Sequence, residues 1–208
     1  MIISFANLKG GVGKSKLNAY FSAFLAAKKN HTVCLVDFDA SQLTTQVYDV
    51  VENPNLTVIP YNPTHGNITN LVMSLNDDYD YVLVDIPGTI QQEGVLPLMS
   101  IMDYIVVPTT NEEEDISSSI QFCGILQKLN VKHVVLMNNY EVQFFGMAEH
   151  EQNEFKEYSE LFPCGVLSKG IRKNRSLLQQ NFKLGLYGDH SKTDNVEKTL
   201  ELIYSKIN

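Results

Sequence analysis

The sequence contains no apolar run approaching the length of a membrane span, and Met1 leads straight into a strand with no basic segment before it. Neither a transmembrane anchor nor a secretory leader is expected, and the reading is a cytoplasmic protein. Cysteine is scarce: Cys34, Cys123 and Cys164 are odd in number and share no metal-ligand or CxxC spacing, so they read as buried thiols in a reducing compartment. No internal repeat, low-complexity tract or linker divides the chain. Basic residues are in the minority, with 16 Lys and Arg against 24 Asp and Glu for a net charge of −8. That excludes a surface basic all over, but not a local basic patch.

What is present is a globular composition, 44% hydrophobic and 19% charged over 208 residues, long enough to bury a core without staples. Short apolar runs alternate with helical patterns. Ile2–Ala6, Thr32–Asp37, Leu56–Pro60, Tyr81–Asp85, Tyr104–Pro108, Val131–Met137 and Gly165–Leu167 read as strands, several of them continuously apolar as strands covered on both faces must be. Leu17, Tyr20, Phe21, Phe24 and Leu25 recur at i, i+3, i+4, i+7 and i+8, the apolar face of a helix. Lys28 and Lys29 suit its C-terminal end and Asn30 its left-handed cap. Further helices are expected at Ile68–Leu75, Ile116–Leu129, Glu149–Glu160 and Asn195–Ile207. The expectation is one α/β domain: a mostly parallel, twisted sheet of about seven strands with helices on both faces. Right-handed crossovers then gather the loops after the strands along one edge.

Lys9-Gly10-Gly11-Val12-Gly13-Lys14-Ser15 lies between the first strand and a strong helix, the context a phosphate-binding loop requires. Glycines let backbone N–H groups converge on phosphate oxygens, and the helix adds its positive end. Lys14 would reach the β- and γ-phosphates, and the Ser15 hydroxyl would ligate Mg²⁺. The loop departs from GxxxxGK[ST] in one respect. Leu8 stands where the first glycine belongs, and a second lysine, Lys9, follows it. This KGGxGK[ST] form resembles the deviant Walker A motif of the ParA/MinD family of P-loop ATPases. The resemblance implies ATP sandwiched in a homodimer, with Lys9 crossing to the partner's nucleotide and acting on phosphoryl charge as an arginine finger does.

The resemblance continues along most of the chain. Asp37-Phe38-Asp39 followed by Ala40-Ser41-Gln42-Leu43-Thr44 looks like the family's first switch, commonly DxD(x)PQxS/T. Asp39 then matches the aspartate that orients the attacking water, and Asp37 a carboxylate near the metal. Ser41 replaces the usual proline, which implies a more mobile loop and slower hydrolysis. Tyr81–Asp85 followed by Ile86-Pro87-Gly88 has the Walker B arrangement. Asp85 would hold Mg²⁺, while Pro87 and Gly88 would open the second switch, Gly88 offering its N–H near a γ-phosphate. Asn138, with Asn139 adjacent, matches the amide that reads adenine in relatives. The acidic stretch Glu112–Asp115 reads as a solvated helix start, favoured by the helix dipole.

Between Gly165 and Lys192 the charges are Lys169, Arg172, Lys173, Arg175, Lys183 and Lys192 against Asp189, six minus one or +5, which leaves −13 elsewhere. In partition ParA proteins the corresponding segment binds DNA without sequence preference, and the resemblance carries that role to Lys169, Arg172, Lys173, Arg175 and Lys183. It further implies nucleoid association and a centromere-binding, ParB-like adaptor that stimulates hydrolysis. The final helix, Asp194–Asn208, lacks a basic polar face, so core packing is expected and a membrane is not. With Lys9 already in the loop, no operator-binding helix-turn-helix is expected ahead of it. The sequence thus resembles the small ATPases that segregate plasmids or mobile elements. Three rivals share the motifs: a MinD-like positioning ATPase acting on a membrane or protein complex, a ligase resembling dethiobiotin synthetase, and a nucleotide switch that barely turns over. The last is left open by Ser41 and by Lys16, where relatives usually have Ser or Thr.

Overall fold

The computed structural model describes residues 1–38, 53–61, 67–140, 156–172 and 190–208. Its strands are β1 (Ile2–Phe5), β2 (Val33–Asp37), β3 (Leu56–Pro60), β4 (Tyr81–Asp85), β5 (Tyr104–Thr109), β6 (His133–Tyr140) and β7 (Ile171–Arg172). Its helices are α1 (Lys14–Lys28), α2 (Ile68–Asp78), α3 (Val95–Ser100), α4 (Glu113–Lys128) and α5 (His190–Ile207), with a further helical turn over 156–161. The strands form one sheet in the order β3-β2-β4-β1-β5-β6-β7, and every pairing is parallel. The chain runs outward from β1 through β2 to β3, returns to place β4 beside β1, then crosses to β5 on the other flank. That reversal makes the C-terminal end of β1 a crevice, the position where open α/β sheets bind ligands.

The continuous apolar runs have the physical cause expected of them. Strands β1, β2, β4 and β5 are buried at every position because helices cover both sheet faces. One core gathers Phe5, Phe21, Phe24, Leu35, Leu83 and Ile203 between the sheet, α1 and α5. The other gathers Val36, Val72, Val84, Leu98, Phe122 and Leu126 between the opposite face and α2, α3 and α4. Helix α1 ends as read: Asn30 takes a φ of 57°, while Lys28 and Lys29 pair with Glu197 and Glu201 of α5 at 3.3 and 2.8 Å.

Six of the seven expected strands form at or within a few residues of their expected limits. The seventh does not. Gly165–Leu167 makes only an isolated parallel bridge, Val166 to Val135, and the sheet is completed by Ile171–Arg172 instead. Gly165, at a φ of 85°, turns the chain there, with its N–H bonded to the Phe162 carbonyl at 2.8 Å. Helix α3 was not expected: it is six residues long, contains Pro97, and follows Gly94 at a φ of 87°. Helix α4 begins three residues before the apolar pattern does, because Glu113, Glu114 and Asp115 suit its positive first turn. The helix expected over Glu149–Glu160 lies partly outside the described residues. Val196, Leu200 and Ile203 of α5 are buried in the core, so that helix packs on the domain as expected.

Candidate functional site

The loop from Ala6 to Gly13 rises from the C-terminal end of β1 and enters α1 at Lys14. Gly13 is the helix N-cap at φ 95° and ψ 19°, and Gly11 has a φ of 83°, so both occupy the left-handed region that side chains resist. A Cβ on Gly13 would also collide with the side-chain amide of Asn138. Gly10 and Gly11 are exposed and Val12 is buried, so the loop is anchored through Val12 and open at its tip.

Two buried asparagines fix this loop. The Asn7 amide donates to the Pro108 carbonyl at 2.8 Å and to Ser119 Oγ at 2.7 Å, while its Oδ1 accepts from the Lys9 N–H at 3.2 Å. Asn18 accepts from the Phe5 N–H at 2.9 Å, and its amide donates to the carbonyls of Phe5 and Lys14 and to Asp85 Oδ1, at 3.1 to 3.2 Å. One side chain therefore ties β1, the first turn of α1 and β4 together. Replacing such a fully satisfied amide with an apolar group would orphan buried backbone groups, at a cost of about 1–3 kcal/mol each. Neither residue was singled out from the sequence. Asn18 had a signal there, a polar side chain beside Leu17 on the face that packs inward.

Lys14 Nζ donates to the Lys9 carbonyl at 2.9 Å, beneath the loop. Gly88, the glycine after β4, approaches the same ammonium: a Cβ there would stand 3.1 Å from Lys14 Nζ and 3.5 Å from the Leu8 carbonyl. Pro87 is buried beside it. Asp37 and Asp85 are direct partners in the β2–β4 register, 0% and 1% exposed, at the C-terminal ends of adjacent strands. Buried carboxylates are costly unless compensated, so a pair on one strand edge is a place that suits cationic charge. With the Ser15 hydroxyl at the start of α1, they supply hard oxygen donors, the set that Mg²⁺ takes.

Lys9 is at the loop tip, its side chain 38% exposed, and pairs with Glu114 Oε2 at 2.9 Å and Asp115 Oδ1 at 3.8 Å. The hydrogen bond and charge of Glu114 raise its pKa. The acidic start of α4, read as solvated, is thus also the resting partner of this lysine. The expected adenine reader, Asn138, is 8% exposed and donates to the Val12 carbonyl at 2.8 Å, so its amide braces the phosphate loop. Asn139 follows at a φ of 55°. Lys16 places Nζ 5.7 Å from the Tyr20 ring centroid, and burial lowers its pKa.

Of the other expected residues, Asp39, Ala40, Ser41, Gln42, Leu43 and Thr44 lie outside the described residues, as do Lys173, Arg175, Lys183 and Asp189. Lys169 is exposed and Arg172 closes β7. No helix among the described residues is long and apolar enough to cross a membrane.

Comparison with known proteins bears on the fold. A family model described as an AAA domain matches residues 1–60, the span of the phosphate loop and β2. A ParA family protein of Chlamydia pneumoniae is 21% identical over 213 aligned positions, covering 83% of each chain. Among solved structures, the MinD cell division protein of Aquifex aeolicus superposes with a TM-score of 0.74 at 19% identity, covering 98% of this chain and 96% of the other. A plasmid partition protein of Borrelia burgdorferi bound to AMPPNP gives 0.69 at 20% identity, covering 99% and 98%. At such identities the structures establish the fold alone, and they include cell-division and partition proteins alike. In its twin-lysine loop and in its fold, the chain is therefore similar to ParA and MinD proteins.

Proposed function

We propose that this ATPase is a ParA-like partition protein for a plasmid or mobile element. Its ATP-bound homodimer binds DNA without sequence preference and is discharged by a ParB-like, centromere-bound adaptor. The observation that favours DNA over a membrane is the seating of α5. Its apolar residues Val196, Leu200 and Ile203 are spent on the core, and Lys28 and Lys29 of α1 clamp its outer side. A MinD-like reading needs an amphipathic face free to lie on lipid.

In this reading Gly10 to Ser15 cradle the phosphates of ATP through backbone N–H groups. Lys14 turns from the Lys9 carbonyl to the β- and γ-phosphates. Ser15, Asp37 and Asp85 hold Mg²⁺, which when bound neutralises phosphate charge. Asp39 positions the attacking water, and Gly88, already beside Lys14, reads the γ-phosphate through its N–H. Lys9 leaves Glu114 and crosses to the partner's nucleotide. Asn138 reports on the base only through the loop it braces, or Asn139 takes the adenine. Lys169, Arg172, Lys173, Arg175 and Lys183 contact DNA phosphates, placing the protein on the nucleoid.

The test is DNA binding with ADP, with ATP, and with ATP on the Lys14→Ala variant. Binding should appear only with ATP on the intact chain. Equal binding in all three arms sinks the ATP-switched reading, and ATP-dependent sedimentation with liposomes would replace it with the MinD-like one.

A further inference from the structure

The cysteines carry no spacing signal, yet the fold brings two of them together with a histidine. Cys123 lies on the inner face of α4, His133 opens β6, and Cys164 lies in the turn that Gly165 completes. Their Sγ and ring-nitrogen atoms all lie within 4.8 Å of one another, and the two sulfurs are 3.8 Å apart. A disulfide needs about 2.05 Å. Two thiolates on a tetrahedral zinc-class cation, with metal–sulfur bonds of about 2.3 Å, stand about 3.8 Å apart. The sulfur separation excludes a disulfide; as an S–H···S contact between reduced thiols it already has the spacing of the second case.

The histidine is also set up as a ligand. His133 Nδ1 is 2.7 Å from the Val131 carbonyl, an acceptor, so Nδ1 carries the proton and Nε2 keeps its lone pair. A ligating imidazole is oriented in the same way by a carbonyl on its other nitrogen. The three residues line a cavity of about 320 Å³ with Phe162 and Gln127, which leaves space for a fourth ligand. Cys123 and Phe162 are buried, while Cys164 and His133 are half-buried, so an ion can enter from the cavity side.

We propose that Cys123, His133 and Cys164 bind one thiophilic divalent cation of the zinc class, in a Cys₂His set whose fourth position faces the cavity. The site is separate from the nucleotide site. Cys123 is ten residues along α4 from Glu113, about 15 Å of helix. His133 lies at the strand end opposite Asn138, about 17 Å along β6. Binding exchanges thiol protons for the metal and involves no electron transfer. It fastens the turn at Cys164, from which the basic segment departs, to α4 and β6.

The experiment uses the reduced full-length protein, metal-stripped and free of nucleotide, titrated with Co²⁺ under anaerobic conditions. One equivalent should produce thiolate-to-cobalt charge-transfer absorption with visible bands of tetrahedral intensity, and one equivalent of Zn²⁺ should displace it. Cys123→Ser, Cys164→Ser and His133→Asn should each weaken binding at least tenfold while keeping Cys34. Should Cys123→Ser fail to fold, the half-exposed Cys164→Ser decides. On the unaltered chain, Zn²⁺ should also slow alkylation of Cys164 at least tenfold. Absence of the charge-transfer band, its survival in Cys164→Ser, or alkylation indifferent to Zn²⁺ would overturn the proposal. So would a Cys123–Cys164 disulfide in the isolated protein together with failure of the reduced form to bind Co²⁺.

Discussion

At the scale of single residues, the phosphate loop is held from below by side chains that a motif does not contain. Gly13 combines a positive φ with the pressure of the Asn138 amide, so Gly13→Ala meets both strain and collision. Left-handed strain in a non-glycine residue costs about 1–3 kcal/mol before the clash is added. The expected outcome is loss of ATP-analogue binding with a Tm lowered by several degrees; calorimetry showing wild-type binding would contradict the role of that contact. Lys9 makes a second case. Its partner Glu114 is 86% exposed, so the pair contributes little to stability, and Glu114→Gln should leave the Tm within a degree or two. The same change removes the closer of the lysine's two carboxylate partners and leaves Asp115 at 3.8 Å. If Lys9 acts across a dimer, Glu114→Gln should strengthen ATP-dependent association in sedimentation velocity and Lys9→Ala should weaken it, and equal association by both variants would rule that role out. The thiols differ as sharply. Burial pushes Cys34 up to about 12, whereas the interactions with Cys123 and His133 hold Cys164 below the ordinary thiol range. The nucleophile is the thiolate, so in metal-free reduced protein at neutral pH Cys164 should alkylate first and Cys34 last. Mass-spectrometric peptide mapping over time reads the order, and Cys34 labelling at the same rate as Cys164 would refute it.

At the scale of elements, α5 is the informative one. Leu200 is 2% exposed in the core shared with α1, so Leu200→Ala should cost about 2–5 kcal/mol, seen as a fall in the urea midpoint. A change under about 1 kcal/mol would mean that the helix is not part of the cooperative core. Strands β1, β2, β4, β5 and β6 were legible because burial on both faces leaves uninterrupted apolar runs, and the phosphate loop because its glycines sit between a strand and a helix. The final strand was not. Gly165–Leu167 and Ile171–Arg172 are both short and both lie along β6, Val166 bridging Val135 and Ile171 pairing with Asn138. Helix α3 was hidden by Pro97 and by a length too short for periodicity. The Cys123–His133–Cys164 cluster was invisible for a different reason. Its members come from a helix, a strand and a turn, and spacing rules apply only where one local segment supplies the ligands. Asn7 and Asn18 fall between these cases, since a buried amide shows in sequence only as an interruption of an apolar face.

At the scale of the whole molecule, charge is the property that the total conceals. A net −8 joins a segment of +5 to a remainder of −13, so most of the chain would repel DNA and that segment would attract it. Lys169 is exposed near the start of the segment, and Arg172 ends β7 at the sheet edge opposite β3. If Lys169, Arg172, Lys173, Arg175 and Lys183 each neutralise one phosphate, log K against log salt has a slope of about −4.5 for one protomer. Affinity then falls about 500-fold between about 50 and 200 mM salt, and a dimer engaging both basic faces approaches twice that slope. Fluorescence anisotropy with a short random duplex, repeated across salt with ATP and with ADP, measures both quantities at once. Lys169→Ala should flatten the ATP slope by about 0.9 per engaged protomer without altering its nucleotide dependence. A slope near zero would remove DNA from the account. An equal slope with ADP would leave the basic segment a DNA-binding surface, but one that the ATP-bound dimer does not control.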